Sequence, residues 1–560
     1  MAEKTKKDIK TTFKNFFESE KLKKYLKPAI IVVVVVLLIS VLVLSDFGKD
    51  GGGTVDDGGY NYFESAYAKL DDKNNIFQAV TWDNLDKILN SEGNYVILFG
   101  GAWSAATQEV IPYINETAKA HGIARIYVFD FKLDGGIGEA DGIFTDISAP
   151  EYEYNYLYKK ITERLTNYTA ISGNTEEIKT KKSTVINEYT EYAAYKDGAN
   201  QVLTGGRLLL DATENLPKIK VPTLLAYNKS YAVQTGGGVV LSPVIALADD
   251  VYAQGELNDT AKKDAYTYKL HNVFESLKKT VRGNGSGLIR ADEYDYFGGA
   301  NGETLHLKPG ESHVFRSVTY YELIDMFSVR KEFALFFGGI WNPYTQGLAY
   351  YVNQAAKNIG AERVYFFDFS LDGTGQAIYK VNGTESADID GTNYRLLKEN
   401  YDLSLSIAGT LYADGDILNI QTKYSKLYAK LLSYIPDFES TWHTPDYLDY
   451  NGGYQKVVYG EESYPKIASA TLLIYSKDNT NADGEAANAL AWYEAEYEWE
   501  ELQDTGKINT INALSGIASV FSKLPASLIT ATVGGSSGGG TSSQSGGGGE
   551  EELAPIDPDC

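Results

Sequence analysis

A chain of 560 residues with 75 Asp and Glu against 51 Lys and Arg carries a formal charge of −24, a balance that repels nucleic acid and anionic lipid. Its one cysteine is the last residue, Cys560, which excludes internal disulfides, thiolate zinc clusters and any dithiol redox centre within one chain. The length exceeds what one core organises and divides naturally into two domains of about 200 residues with tails.

The first 27 residues hold nine lysines and four acids, a local net of +5. An uncharged apolar run from Pro28 to Ser45 follows, and its eighteen residues, as a helix, would extend about 27 Å, enough to cross a hydrocarbon core. The run is longer than a usual signal-peptide core and no small-x-small site follows it, so residues 28–45 are expected to be an uncleaved transmembrane helix. Lysines before it and Asp46, Asp50, Asp56 and Asp57 after it place residues 1–27 in the cytoplasm and the remainder outside, at the cell surface. The exported part then carries −29 (−24 minus +5). Residues 46–74 begin Gly- and Asp-rich and are expected to be a flexible spacer.

Two later stretches read almost alike: VILFGGAWSAAT, residues 96–107, and ALFFGGIWNPYT, residues 334–345, at a constant offset of 238 (345 minus 107). From Val80 to Gly135 and from Val318 to Gly373 the copies align without a gap, with roughly twenty of about fifty-five positions identical, so one folding unit was duplicated. Each copy predicts strand, helix, strand, helix, strand. An extended Phe77 to Val80 leads to a helix capped by Thr81, and Thr319 and Glu322 have capping-box spacing in the second copy. A buried strand over Tyr95 to Phe99, or Phe333 to Phe337, precedes a helix that opens after Trp103 or Trp341. IYVFDF and VYFFDF then read as parallel strands covered on both faces, completing a βαβ crossover.

A late strand pair starts within PKIKVPTLLAYNK from Pro217 and PKIASATLLIYSK from Pro465. About 80 residues precede it, too many for a bare loop, and the spacing of Leu157, Ile161, Leu165 and Tyr168, or of Leu427, Leu431 and Tyr434, predicts inserted helices. Each unit closes on an amphipathic helix, with Leu270, Val273, Phe274 and Leu277 or Ile511, Leu514, Ala518 and Phe521 inward. The domains are thus 75–282 and 313–530, joined by a polar, Gly-rich linker over 283–312. A Gly, Ser and acidic tail over 531–560 has too few apolar residues to fold.

Strand order, a Trp at a helix mouth and VPTLL opening a late strand together resemble the thioredoxin-like superfamily. The FGG-x-W and W-N-P-Y-T wording is similar to extracytoplasmic thioredoxin-like proteins of Gram-positive bacteria. The resemblance implies an α/β fold of two tandem thioredoxin-like domains, each with a helical insertion before the late strand pair, after one N-terminal transmembrane helix. Under it, the nucleophilic cysteine corresponds to Ser104 and Asn342, the resolving cysteine to Thr107 and Thr345, and the buried acid to Leu98 and Phe336. The cis-proline corresponds to Pro222 in the first copy and to Ala470 in the second. The reaction's groups are therefore replaced, and Ser104 and Asn342 are expected instead to be helix N-caps.

The leading expectation is a membrane-anchored extracytoplasmic protein, not an enzyme, whose two redox-inactive domains bind an unidentified protein or peptide or act as a scaffold. The vestigial site is Trp103, Ser104, Thr107 and Pro222 in one copy, and Trp341, Asn342, Pro343, Tyr344, Thr345 and Ala470 in the other, with the two Trp side chains exposed for binding. No cofactor, metal or nucleic acid is expected, since the five histidines have no ligand-like spacing. Two rival readings stand beside it. Cys560 could serve thiol-disulfide chemistry or an intermolecular disulfide, although Asp557 and Asp559 disfavour its thiolate. The acidic runs LDGGIGEADG from Leu133 and ADIDGTN from Ala387 could bind Ca²⁺ weakly, without EF-hand spacing.

Overall fold

The computed structural model describes residues 60–137, 146–148, 156–196, 199–282, 294–298, 304–307, 312–371, 388–389, 392–393, 426–439, 456–459, 462–465, 467, 470–503 and 508–529. The basic segment, the 28–45 span, the tail and Cys560 lie outside the described residues. Among the described residues no helix is long and apolar enough to cross a membrane.

The chain is a mixed α/β structure built on two five-stranded sheets of the same design. In the first, β1 (Phe77–Ala79), β2 (Tyr95–Phe99), β3 (Ile126–Phe129), β4 (Thr223–Tyr227) and β5 (Val244–Ala248) lie in the order β1-β3-β2-β4-β5. The first three are parallel, and β4 and β5 run antiparallel. The second repeats this as β6-β8-β7-β9-β10, using β6 (Phe315–Ser317), β7 (Glu332–Phe337), β8 (Val364–Phe367), β9 (Thr471–Ser476) and β10 (Ala489–Glu494). Every residue of β2 and β3 is buried, as continuous apolar runs demand when helices cover both faces.

After a short α1 (Tyr62–Ala66), helices α2 (Trp82–Asn90) and α3 (Ala105–Ala120) connect β1, β2 and β3. Later in the chain α7 (Tyr320–Val329) and α8 (Pro343–Ile359) repeat α2 and α3. Their starts follow local capping chemistry: Thr81 Oγ1 accepts from Asn84 N at 3.2 Å. Glu322 N donates to Thr319 Oγ1 at 3.3 Å while Thr319 N donates to Glu322 Oε2 at 2.9 Å, a reciprocal box.

Four features differ from the sequence expectation. The first insertion begins with α4 (Tyr156–Arg164) and α5 (Tyr168–Ser172), but continues as a hairpin of Glu177–Lys196 with Ala199–Pro217 rather than as helix. Thr, Val and Tyr recur along that stretch, and such residues fit a pleated surface. In the second insertion, residues 426–432 are helical and Lys456–Tyr459 pairs with Glu462–Pro465.

The spacer expected through residue 74 gives way at Tyr60, because Tyr62, Phe63, Tyr67 and Leu70 are buried in the first half's core. The linker also holds packed residues: Tyr296, Phe297, Leu305 and Leu307 are buried in the second core. Finally, α6 (Thr260–Arg282) buries its expected stripe, whereas α10 (Ile508–Phe521), which follows the short α9 (Trp499–Gln503), buries Ala513, Leu514, Ile517, Val520 and Phe521. Ile511 and Ala518 are only partly covered, since a helix with this many apolar residues can turn more than one stripe inward.

One face of each sheet packs into a core that the halves share, with Trp82, Phe129 and Leu133 in the same cluster as Tyr320, Phe367 and Leu371, while the other faces pack into separate clusters. Each half presents the same positions to a cleft between them: Val80, Thr81 and Asp130 from one, Val318, Thr319 and Asp368 from the other. This is the self-complementary arrangement of a twofold dimer, built within one chain. Polar links cross it as well: Asn84 Nδ2 donates to Ser317 Oγ at 3.0 Å, and Tyr60 Oη and Ser65 Oγ each donate to Asp325 at 2.9 Å. The intervening segment touches both sides: Tyr296 and Phe297 are buried in the second core, while Tyr294 N donates to Tyr127 Oη at 2.6 Å and Tyr296 Oη donates to Asp83 in the first half.

Candidate binding site at the helix mouths

The repeated FGG-x-W segment forms the turn between β2 and α3, and between β7 and α8. Ser104 is the N-cap of α3, its hydroxyl accepting from Thr107 N at 3.2 Å. Asn342 caps α8 in the same way, from Thr345 N at 3.0 Å. Gln108 Nε2 reaches back to the Ala102 carbonyl at 2.8 Å, and Gln346 Nε2 to the Ile340 carbonyl at 2.7 Å, so each turn is clamped by the helix it opens.

The paired glycines are required by what sits against them. A Cβ on Gly100 would lie 2.8 Å from Thr107 Cγ2, and one on Gly338 would lie 2.5 Å from Thr345 Oγ1. A Cβ on Gly101 would lie 2.2 Å from Asp130 Oδ2 and 2.3 Å from Trp103 Nε1, and one on Gly339 would meet Trp341 Nε1 and Asp368 Oδ2 in turn. The first glycine admits the threonine, and the second admits an indole-carboxyl contact.

That contact corrects the expectation that no buried acid remains. Leu98 and Phe336 are fully buried sheet residues as expected, but Asp130 and Asp368, one residue past β3 and β8, bring carboxyl groups to the mouths from another strand. Trp103 Nε1 donates to Asp130 Oδ1 and Oδ2 at 2.9 and 3.0 Å, and Trp341 Nε1 donates to Asp368 Oδ2 at 2.8 Å. Burial holds the Asp130 carboxyl well above the usual carboxylate range, with Asp146 and Asp134 adding to it, despite the opposing hydrogen bonds from Trp103 and Lys132 N–H. Asp130 also acts across the halves: after burial, it is the largest influence pushing the Tyr321 phenol up. The repetition of FDF in both copies was the sequence signal for this acid.

The two mouths differ in surface. Trp103 is 41 % exposed, with Lys132 Nζ 4.2 Å above its ring, a favourable cation-π distance. Trp341 is half-buried rather than exposed, and Ser370 stands where the first copy has Lys132. Ser104, Thr107, Asn342 and Thr345 are buried, while Pro343 and Tyr344 are partly so.

The register brings Pro222 and Ala470 to the same mouths. Phe99 pairs with Thr223 and Phe337 with Thr471, so the residue before each late strand lies beside the first glycine of the turn. The Val221–Pro222 bond is cis. Ala470 is fully buried, its carbonyl accepting from Ala495 N at 2.8 Å. Each mouth therefore combines a capped helix end, an indole fixed by a carboxyl group and the start of a late strand. In this geometry the Ser104 and Asn342 side chains both serve as helix caps. Of the carboxylates in the two Ca²⁺ readings, Glu139, Asp141 and Asp390 lie outside the described residues. Among known proteins, no family model and no curated protein matches this chain.

Proposed function

We propose that the chain is a membrane-anchored extracytoplasmic protein whose halves are two thioredoxin-like domains without redox activity, and that it works as a protein- or peptide-binding scaffold. One observation carries the reading: at both mouths the position of the absent thiol holds a buried capping side chain, while the adjoining Trp is kept and fixed by an acid. Sheet order and strand direction, repeated in both halves, support the thioredoxin-like assignment. The anchor and outward orientation rest on the lysine-flanked apolar run over 28–45.

Trp103 is the primary contact in this reading, because an exposed, rigid aromatic with its polar edge already satisfied offers contact area at little entropic cost. Trp341, half-buried, contributes less. The test is a peptide-display selection on the detergent-solubilised full chain. Peptides that bind the parent and are lost in Trp103→Ala, but kept in Cys560→Ser, support the reading. Peptides unaffected by Trp103→Ala remove this mouth as the site, and sustained insulin reduction by the parent chain overturns the redox-inactive assignment.

A further inference from the structure

His121 and His271 stand 150 residues apart in sequence, and folding puts His121 Nε2 2.7 Å from His271 Nδ1. His121 is the C-cap of α3. His271 and Glu275 lie one turn apart on α6, where an i, i+4 pair shares a face. His121 Nδ1 is 3.3 Å from Glu275 Oε1. One donor atom from each of these three side chains falls within 4.8 Å of the others. The sequence expectation of scattered histidines therefore fails for this pair, because the ligand spacing exists only between helices.

We propose that His121, His271 and Glu275 bind a divalent transition-metal ion of the zinc class, joining the end of α3 to α6 in the first half. Two imidazoles and a carboxylate are a donor set such ions favour. Donors in a tetrahedral site with bonds of about 2.0 Å stand about 3.3 Å apart, so small side-chain rotations open the His121 and His271 rings around an ion. The carbonyl end of α3 adds the negative pole of a helix beside the site. His271 is exposed, leaving a side open to water or a further ligand.

One group opposes the ion. Lys278 Nζ lies 3.1 Å from His121 Nδ1 and also 3.1 Å from Glu275 Oε1. It competes for both donors in the metal-free arrangement and must withdraw toward solvent when an ion binds. The second half has no counterpart, since Ile359 occupies the position of His121.

The test uses the detergent-solubilised full chain in a Cys560→Ser background, stripped with EDTA and titrated with Zn²⁺ alone, then with Co²⁺. The expected result is one Zn²⁺ per chain and a Co²⁺ complex with the visible bands of four-coordination. His271→Ala, at an exposed position, should weaken binding at least tenfold while leaving the EDTA-treated melt unchanged. Glu275→Gln should weaken it about tenfold, and Lys278→Met should tighten it. The tightening separates a metal site from a merely structural cluster. Absence of saturable binding overturns the proposal, as does Zn²⁺ binding of equal strength in His271→Ala. Peptide binding through Trp103 is independent of either result.

Discussion

Trp103 donates its indole N–H to both carboxyl oxygens of Asp130, at 2.9 and 3.0 Å. The bond needs Gly101, whose missing Cβ leaves the space in which donor and acceptor meet. Trp103→Phe removes the donor and leaves Asp130 with the Lys132 N–H, at 2.8 Å, as its other described contact. The expected loss is about 1–3 kcal/mol, the cost of a buried polar group deprived of a partner. Urea denaturation followed through the first half's tyrosines measures it, and an unchanged midpoint would count against the bond's importance.

Asp130 also gives a pH signature. Its carboxyl is raised above the unfolded value of about 3.9 by burial first, so folding favours the protonated form. The resulting stabilisation is full below that unfolded value and is lost as pH rises through the folded one. Asp130→Asn lacks the titration. The melting temperature of the parent minus that of Asp130→Asn should therefore fall as pH rises above about 4; a difference that stays flat contradicts the assignment.

The caps separate structure from chemistry. Ser104→Ala and Asn342→Ala should each cost about 1 kcal/mol by freeing a helix amide. If Ser104 is a cap alone, Ser104→Thr, which keeps the hydroxyl acceptor, should recover most of that loss. Paired thermal melts of the three variants decide this.

One helical position is solved twice. Glu109 in α3 is buried and pairs with Lys69, while Gly255 N and Leu257 N donate to it at 2.8 and 3.0 Å. Its counterpart in α8 is Gly347, where a Cβ would lie 2.9 Å from Trp499 N. Burial opposes the Glu109 charge, but Lys69 and the two amides together hold its carboxyl below the usual value. Glu109→Gln should cost about 1.5–3 kcal/mol, as loss of hydrogen bonds to a charged group does. Gly347→Ala should cost about 1–3 kcal/mol by overpacking against backbone. Proteolysis of the segment after β5 in the first case, and of α9 in the second, locates each effect.

At the junction of the halves, Gly135 adopts φ +67° and a Cβ there would stand 2.6 Å from Tyr321 Cβ. Gly135→Ala combines left-handed backbone strain of about 1–2 kcal/mol with this clash. It should loosen the contact between halves before either core melts. A calorimetric trace that splits into two transitions is the expected outcome; one cooperative peak would contradict it.

Much of this was legible locally. The strands Tyr95–Phe99 and Val364–Phe367 announce themselves as unbroken apolar runs, and Thr81, Ser104, Thr319 and Asn342 as caps, because strands and caps depend on neighbours a few residues away. The Trp103–Asp130 bond spans a whole βαβ unit. FGG and FDF recur together, yet spacing alone does not say that their side chains meet. His121 and His271 were less accessible still, since their contact depends on how α6 lies along α3. The hairpin of Glu177–Lys196 with Ala199–Pro217 is not legible from the helical spacing just before it, because its cross-strand pairs join residues up to forty positions apart (217 minus 177).

The cleft shared by the halves has a further consequence. In a homodimer every substitution at the twofold contact appears on both sides at once, so only self-compatible changes survive. A single chain carrying both copies escapes that constraint, and each face can change alone. Asp83 occupies the position that Tyr321 holds in the other copy; Tyr296 donates to Asp83, whereas Tyr62, its counterpart in the matching YNYF and YDYF segments, meets Tyr321 ring against ring. Covalent linkage thus lets equivalent positions at this contact hold different residues, as Asp83 and Tyr321 do.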